Sequence, residues 1–298
     1  MYLPNILPTP EYFLAPLYYL CMYQFILGIA IKFANEKDDE NYYKMVEMLV
    51  DQDNRNRSMN VCSFTPMHYA AYLGNLRIVK TLLKLCDSKD LFEATHEGET
   101  SPFFYILDCY ISPSANRPNV RFELARLMAK HAGPYGPQAI TREIDKDLRT
   151  YSPLTMAICK EDIQFIEGVA PYVKLVIDPD NPYNIYQVEG TFMHYAIEND
   201  KLDALKVLLK YSETKNPADQ EGNTLVHQAV WFNVPDFVEY LIKIVDDWNS
   251  PNEEGITPLA MAKDEGYMKI AGILELAIKT RKRENSDSSI ASKKMKMK

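Results

Sequence analysis

Three histidines, His68, His194 and His227, are the residues of this 298-residue chain best suited by type to acid–base or metal chemistry, and the last two lie 33 positions apart. An imidazole titrates near neutrality and ligates zinc readily, but a zinc site needs three or four ligands at defined spacings. The five cysteines, Cys21, Cys62, Cys86, Cys109 and Cys159, supply no C-x-x-C pair and no zinc spacing. The chain also lacks a Gly-rich phosphate loop, a G-x-S-x-G turn and an H-E-x-x-H helix. His96 and His131 fall in or beside expected loops with no partner motif. The residues therefore imply no catalytic group, no metal and no cofactor. An enzyme would have to work from an irregular loop such as residues 183–187, which carries no motif. Recognition chemistry is better represented by type: Trp231 and Phe232 stand side by side, and aromatic anchors dominate interface energetics.

The elements that position these residues are read most directly from residues 65–85, TPMHYAAYLGNLRIVKTLLKL. Thr65 caps a helix through its hydroxyl, and Pro66 suits the first helical position, where its missing N–H costs nothing. Met67, Ala70 and Ala71 make a small apolar face, and Gly74 suits the left-handed conformation that ends a helix two turns later. Leu76, Ile78, Val79, Leu82 and Leu83 form a second apolar stripe at helical spacing. Such a helical hairpin is too small to make a core alone and needs neighbours. The same opening recurs at residues 190–196 (GTFMHYA), 223–229 (NTLVHQA) and 256–262 (ITPLAMA), with Thr191, Thr224 and Thr257 each 33 residues apart. Four residues after the last Ala of each opening comes a turn-former: Ala70 and Gly74, Ala196 and Asp200, Ala229 and Asn233, Ala262 and Gly266. Gly, Asn and Asp best tolerate a left-handed backbone. The pattern resembles the ankyrin repeat, whose period is about 33 residues and whose signature is T-P-L-H-x-A.

Further openings fall near residues 15, 101 and 152, which makes about seven repeats, irregular over residues 1–189 and regular over 190–278. The first begins in an uncharged run, residues 12–31, long enough to cross a bilayer. Four tyrosines, Pro16 and Gln24 within it, and no basic residue before Lys32, favour a first repeat helix, with residues 41–51 as the second and the charged run 36–40 as the turn. In the third unit a Gly-x-Thr register at Gly98 and a Ser-Pro register at Ser101 disagree by one residue, leaving both open. Its first helix is expected over 103–111 and its second over 122–131, with prolines 113 and 118 forcing a loop between them. Residues 133–137, GPYGP, break the chain before the fourth unit.

The resemblance implies an all-α ankyrin-repeat solenoid whose signature histidines hydrogen-bond between neighbouring repeats. It also implies a concave contact face at the second and third residues after the signature Ala. Those positions are Tyr72 and Leu73, Cys159 and Lys160, Glu198 and Asn199, Trp231 and Phe232, and Asp264 and Glu265. Trp231 and Phe232 are expected at the contact centre, the alternative being that one ring packs on the next repeat. Glu189, Gln220, Glu221, Glu253 and Glu254 lie at expected hairpin tips and would make an acidic rim that steers a basic partner.

Charge is unevenly placed. The chain carries −8 overall, but residues 279–298 hold eight Lys or Arg against Glu284 and Asp287, so the tail is +6 and the rest −14. A negative body argues against nucleic-acid binding through the repeats. The tail is too polar to bury and is expected to be disordered; Arg281, Lys282 and Arg283, then Lys293 and Lys294, resemble a two-part nuclear-import signal. The resulting expectation is a monomeric, non-catalytic, intracellular protein of nucleus or cytoplasm. It would bind another protein with a basic segment as an adaptor, or as an inhibitor resembling those that sequester transcription factors. The alternative is the cytoplasmic part of a membrane protein held by residues 12–31. Ser286, Ser288, Ser289 and Ser292 lie between the basic clusters, where phosphorylation would offset their charge. Replacing all four by Ala should raise the nuclear fraction of a tagged full-length chain seen by microscopy, and an unchanged fraction contradicts masking by phosphate.

Overall fold

The computed structural model describes residues 15–50, 65–85, 101–107, 119–141, 144–146, 149–173 and 191–296. Among them, seven helical pairs succeed one another along the chain. They are α1 (Ala15–Lys37) with α2 (Glu40–Leu49), α3 (Pro66–Tyr72) with α4 (Leu76–Leu85), and α5 (Pro102–Leu107) with α6 (Val120–Ala132). After a short helix α7 (Gly136–Thr141) and a two-stranded hairpin come α8 (Pro153–Cys159) with α9 (Ile163–Val169) and α10 (Phe192–Glu198) with α11 (Leu202–Tyr211). The last pairs are α12 (Leu225–Trp231) with α13 (Pro235–Ile244) and α14 (Pro258–Asp264) with α15 (Met268–Lys296). The chain divides into two compact units, residues 1–154 with 167–173, and residues 155–166 with 174–298, so the α8–α9 pair is shared between them.

The start of each first helix follows from its opening residues. Thr65 Oγ1 accepts from the His68 backbone N–H at 3.4 Å, and Thr191 Oγ1 from that of Met193 at 3.2 Å. In the third pair Ser101 Oγ accepts from the Phe103 N–H at 3.3 Å with Pro102 as the first helical residue, so the Ser-Pro register is the one adopted. The ends are equally local. Gly74, Asp200, Asn233 and Gly266 all have positive φ, as does Glu161 after α8. Each reverses the chain so that the following N–H reaches the signature Ala carbonyl: Asn75 to Ala70, Lys201 to Ala196, Val234 to Ala229 and Tyr267 to Ala262, at 2.8–3.3 Å. This is the left-handed C-cap geometry, which satisfies carbonyls the helix itself leaves unpaired.

In the first unit the inner helices α1, α3 and α5 stack in a row and the outer helices α2, α4 and α6 in a second. Leu27 and Ile31 of α1, Met67 and Ala70 of α3, Ile78 and Leu82 of α4, Phe103 and Ile106 of α5, and Leu124 and Met128 of α6 are buried between the rows. Arg77, Lys80 and Lys84 occupy the solvent side of α4, as its stripe demands. Residues 15–31 of the run expected either to open the first repeat or to cross a membrane belong to α1, which packs on α2 and α3, and residues 12–14 lie outside the described residues; among the described residues no helix is long and apolar enough to cross a membrane. The turn after it is at Asp38, with φ +49. The GPYGP break is filled by a 3-10 turn and by α7, which packs on α5 and α6 and buries Ile140. Strands Ile144–Lys146 and Arg149–Tyr151 then pair antiparallel, Ile144 opposite Tyr151. Residues 108–118 and 189, on which parts of the expected third unit and acidic rim fall, lie outside the described residues.

In the second unit α10, α12 and α14 stack as an inner row, and α13 and α15 pack together outside it. Leu205, Leu208, Val238, Leu241, Ile270 and Leu274 fill the space between. The helical backbone of α15 runs to Lys296. No proline or glycine interrupts residues 279–296, and Lys279, Thr280, Lys282 and Arg283 are exposed. Between inner helices the chain makes tight polar tips. Asp219 accepts from the Glu221 and Asn223 N–H groups at 2.9 and 2.7 Å, and Asn252 from Glu254 and Ile256 at 3.2 and 2.9 Å. Adjacent tips are joined by Glu253 N–H to the Glu221 carbonyl at 3.1 Å and by Asn252 to Asn223 at 2.8 Å.

Two tip glycines separate backbone strain from close approach. Gly222 (φ +77) would place a Cβ 2.9 Å from the Glu253 nitrogen, whereas Gly255 (φ +80) would meet nothing within 4 Å. Gly255→Ala should therefore cost about 1–2 kcal/mol through its left-handed backbone alone. Gly222→Ala should cost about 1–3 kcal/mol more, because it also pushes two tips apart. Urea unfolding of the two variants reads the difference, and equal midpoints contradict a tight tip-to-tip contact.

Candidate functional site

His68, His194 and His227 are structural, and their geometry explains why. His194 Nδ1 accepts from the Thr191 backbone N–H at 3.1 Å, which obliges Nε2 to carry the proton, and Nε2–H donates to the Asn223 carbonyl in the next tip at 3.2 Å. His227 repeats the arrangement one unit on, with Thr224 N–H at 3.1 Å and the Ile256 carbonyl at 2.9 Å. His68 accepts from Thr65 N–H at 3.2 Å and lies edge-on to the Tyr105 ring at 5.3 Å. Each imidazole thus closes its own helix cap, and His194 and His227 also bridge to the following repeat. Among the described residues no group of His, Cys, Asp or Glu is arranged to hold a metal ion.

The bridges hold tips and inner helices around a recess of ≈ 450 Å³ in the second unit. Trp231, the last residue of α12, and Phe232, its C-cap, form its aromatic wall, and both rings are exposed, Trp231 by 62% and Phe232 by 38%. Glu198 from α10, Asp264 and Glu265 from the end of α14, and Glu221 and Glu254 from the tips line the same recess. Seven residues expected from repeat register alone are thereby brought together.

Others are placed elsewhere. Asn199 is half-buried and donates to the Tyr195 carbonyl at 2.9 Å, closing α10, and Cys159 is half-buried with its thiol 3.2 Å from the Tyr195 hydroxyl. Lys160, Gln220 and Glu253 are exposed but do not line the recess. Tyr72 is 36% exposed and Leu73 half-buried at the end of α3, in the first unit. Register reasoning missed Gln228, Met261 and Ile256 in the recess wall, and the polar Asp219, Asn223 and Asn252. Gln228 and Met261 precede their signature Ala and lie three and four residues before the contact positions, so helical spacing would have found them.

Of the import-like cluster, Arg281 is engaged: it donates to the Val245 carbonyl at 3.0 Å and to the Asp246 carbonyl, and its guanidinium lies 5.7 Å from the Trp248 ring. Lys282 and Arg283 are exposed, and Lys293 and Lys294 lie on the described backbone of α15.

Comparison with known proteins agrees with this architecture. Family models described as ankyrin repeats match residues 30–83 and 167–252. The solved ankyrin repeat protein from Leishmania major aligns with a TM-score of 0.50 at 17% identity, covering 80% of this chain and 77% of that one. The NAD-dependent deacetylase sir2B of Dictyostelium discoideum is 23% identical over 211 residues, 68% of this chain and 25% of that protein. Human protein phosphatase 1 regulatory subunit 27 is 32% identical over 66 residues, 22% of this chain and 43% of that protein. The chain thus spans a quarter of the first relative's length and under half of the second's. Its stacked helical pairs define a repeat array of the kind that mediates binding to other proteins. It is an ankyrin-repeat protein.

Protonation should loosen this site. Burial holds His194 and His227 below the ordinary imidazole value of 6.5, outweighing the opposing pull of their carbonyl partners and Asp219. Groups with a lowered folded pKa contribute stability that is complete above their unfolded value and lost as pH falls toward the folded one. Urea unfolding should therefore show stability level near pH 7.5 and falling as pH drops below 6.5, and His194→Gln with His227→Gln should flatten part of that fall. A slope unchanged by the double substitution contradicts the bridging role.

Proposed function

We propose that this chain is a non-catalytic adaptor or inhibitor whose contact surface is centred on Trp231 and Phe232. The supporting observation is the recess itself: two exposed aromatic rings where a helix end would ordinarily be polar, set on rigid elements that need little ordering on binding. The tip and helix-end carboxylates make its rim acidic, which favours a partner with a basic segment and an association that weakens with salt. Inhibition of the kind that covers a basic segment of a transcription factor is the narrower version of the same reading. Tyr72, Leu73, Lys160, Gln220 and Glu253 extend the surface beyond the recess. The protein acts as a monomer, in nucleus or cytoplasm, with the basic run from Arg281 to Lys294 serving import. Its likeness to a deacetylase covers a quarter of that protein, and no deacetylase activity is carried over.

Affinity capture from cells with the full-length chain tests this. Wild type should retain a specific protein that the Trp231→Ala, Phe232→Ala double variant loses while circular dichroism shows it folded. Retention of the same protein by the folded variant contradicts the placement of the contact centre.

A further inference from the structure

Three times within the described residues, an aromatic ring beside a carboxylate is completed by a cation of the chain itself. Arg77 places its guanidinium 3.9 Å from the Tyr43 ring centroid while its Nη2 stands 2.6 Å from Glu40. Arg281 lies 5.7 Å over Trp248 with Nη2 3.6 Å from the Asp246 carboxylate. Lys206 lies 5.9 Å over Tyr240, 2.7 Å from Asp203. The ring quadrupole and the carboxylate attract the same cation from two sides, and the ammonium or guanidinium satisfies both.

The recess at Trp231 has two members of this triad without the third. Trp231 is the most exposed aromatic residue among the described large hydrophobics, and Glu198, Glu254, Asp264 and Glu265 line the same recess from three separate elements. None of these four carboxylates has an ion-pair partner among the described residues, and no lysine or arginine is among the residues lining the recess. The carboxylates project from α10, from the end of α14 and from a tip, so a cation here must donate in several directions while keeping a flat face on the indole. A planar guanidinium does both; an ammonium is a compact point charge without a face. At ≈ 450 Å³ the recess lies within the size range of sites that enclose a small ligand group.

We propose that this recess takes an arginine side chain from a basic segment of the partner protein, stacked on Trp231 and hydrogen-bonded to the surrounding carboxylates. The assignment rests on the reading that this face binds a partner, and it adds the residue that is read.

The probe is a fluorescein-labelled peptide of alternating Gly and Arg, ten residues long, titrated into the full-length chain by anisotropy at near-physiological salt. Matched peptides carry Lys or citrulline in place of Arg. The Arg peptide should bind, the Lys and citrulline peptides should bind at least about tenfold more weakly, and Trp231→Ala should weaken the Arg peptide by about tenfold or more. Asp264→Asn with Glu265→Gln, both at exposed positions that leave the core intact, should weaken it similarly. Equal binding of Lys and Arg peptides overturns the arginine assignment, and Arg-peptide binding indifferent to Trp231→Ala overturns the stacking site. Self-association of wild type in sedimentation, lost in Trp231→Ala, would assign the recess to a second copy's basic run and overturn a separate partner. If no peptide binds while a captured protein is still lost from the Trp231→Ala, Phe232→Ala variant, the arginine proposal fails and the contact surface stands. Loss of neither overturns both.

Discussion

The rest of the second unit depends on a neutral imidazole held between two backbones. His194 and His227 each accept from the N–H that opens their own helix and donate to a carbonyl in the next tip. That arrangement exists for only one tautomer of the uncharged ring. A second proton would set Nδ1–H against a backbone N–H in a buried place, a repulsion with no solvent to relieve it. Because successive helices and tips are fixed by the same bridge, their contact positions recur at a constant offset. The recess is a consequence of that offset, since it gathers Glu198 from one repeat, Trp231 from the next and Asp264 from the one after.

The same logic divides what repeats and what varies. Thr65, Thr191 and Thr224, the signature histidines and the signature Ala are buried and satisfied within the stack, and the Ala carbonyl closes the left-handed turn. Residues just after the Ala have no such duty and carry the chain's particular chemistry: aromatic at 231 and 232, acidic at 264 and 265. Leaving Trp231 exposed forgoes burial that would be worth about 2–3 kcal/mol for a side chain of that size, a sacrifice the stack has no structural reason to make. The stack around it is well satisfied, which is the ground for the contact surface proposed there.

Much of this was legible in the residues. Seven pairs could be placed because helix starts and stops are decided locally, by Thr or Ser caps, by Pro at the first position and by turn-formers such as Gly74 and Asn233. The aromatic pair was legible because a rigid register converts sequence position into a face. What escaped notice was decided by contacts between distant segments or by side chains acting on their own backbone. The third unit's register turns on one Ser101 hydroxyl. Helix α7 begins in a run of Gly and Pro that reads as a break, yet Pro137 sits in the first turn, where it is tolerated, and Ile140 is drawn into the core by α5 and α6. Arg281, read as part of a solvated basic run, is held by carbonyls 35 and 36 residues away that no local pattern announces.

Long-range proton–nitrogen NMR correlation of the histidine rings in the full-length chain at pH 7.5 tests the bridge most directly. Both His194 and His227 should appear as neutral rings protonated at Nε2 only, with Nδ1 shifted as a hydrogen-bond acceptor. Rings protonated at Nδ1, or exchanging between tautomers like a free imidazole, would contradict the account of how the stack and its recess are held.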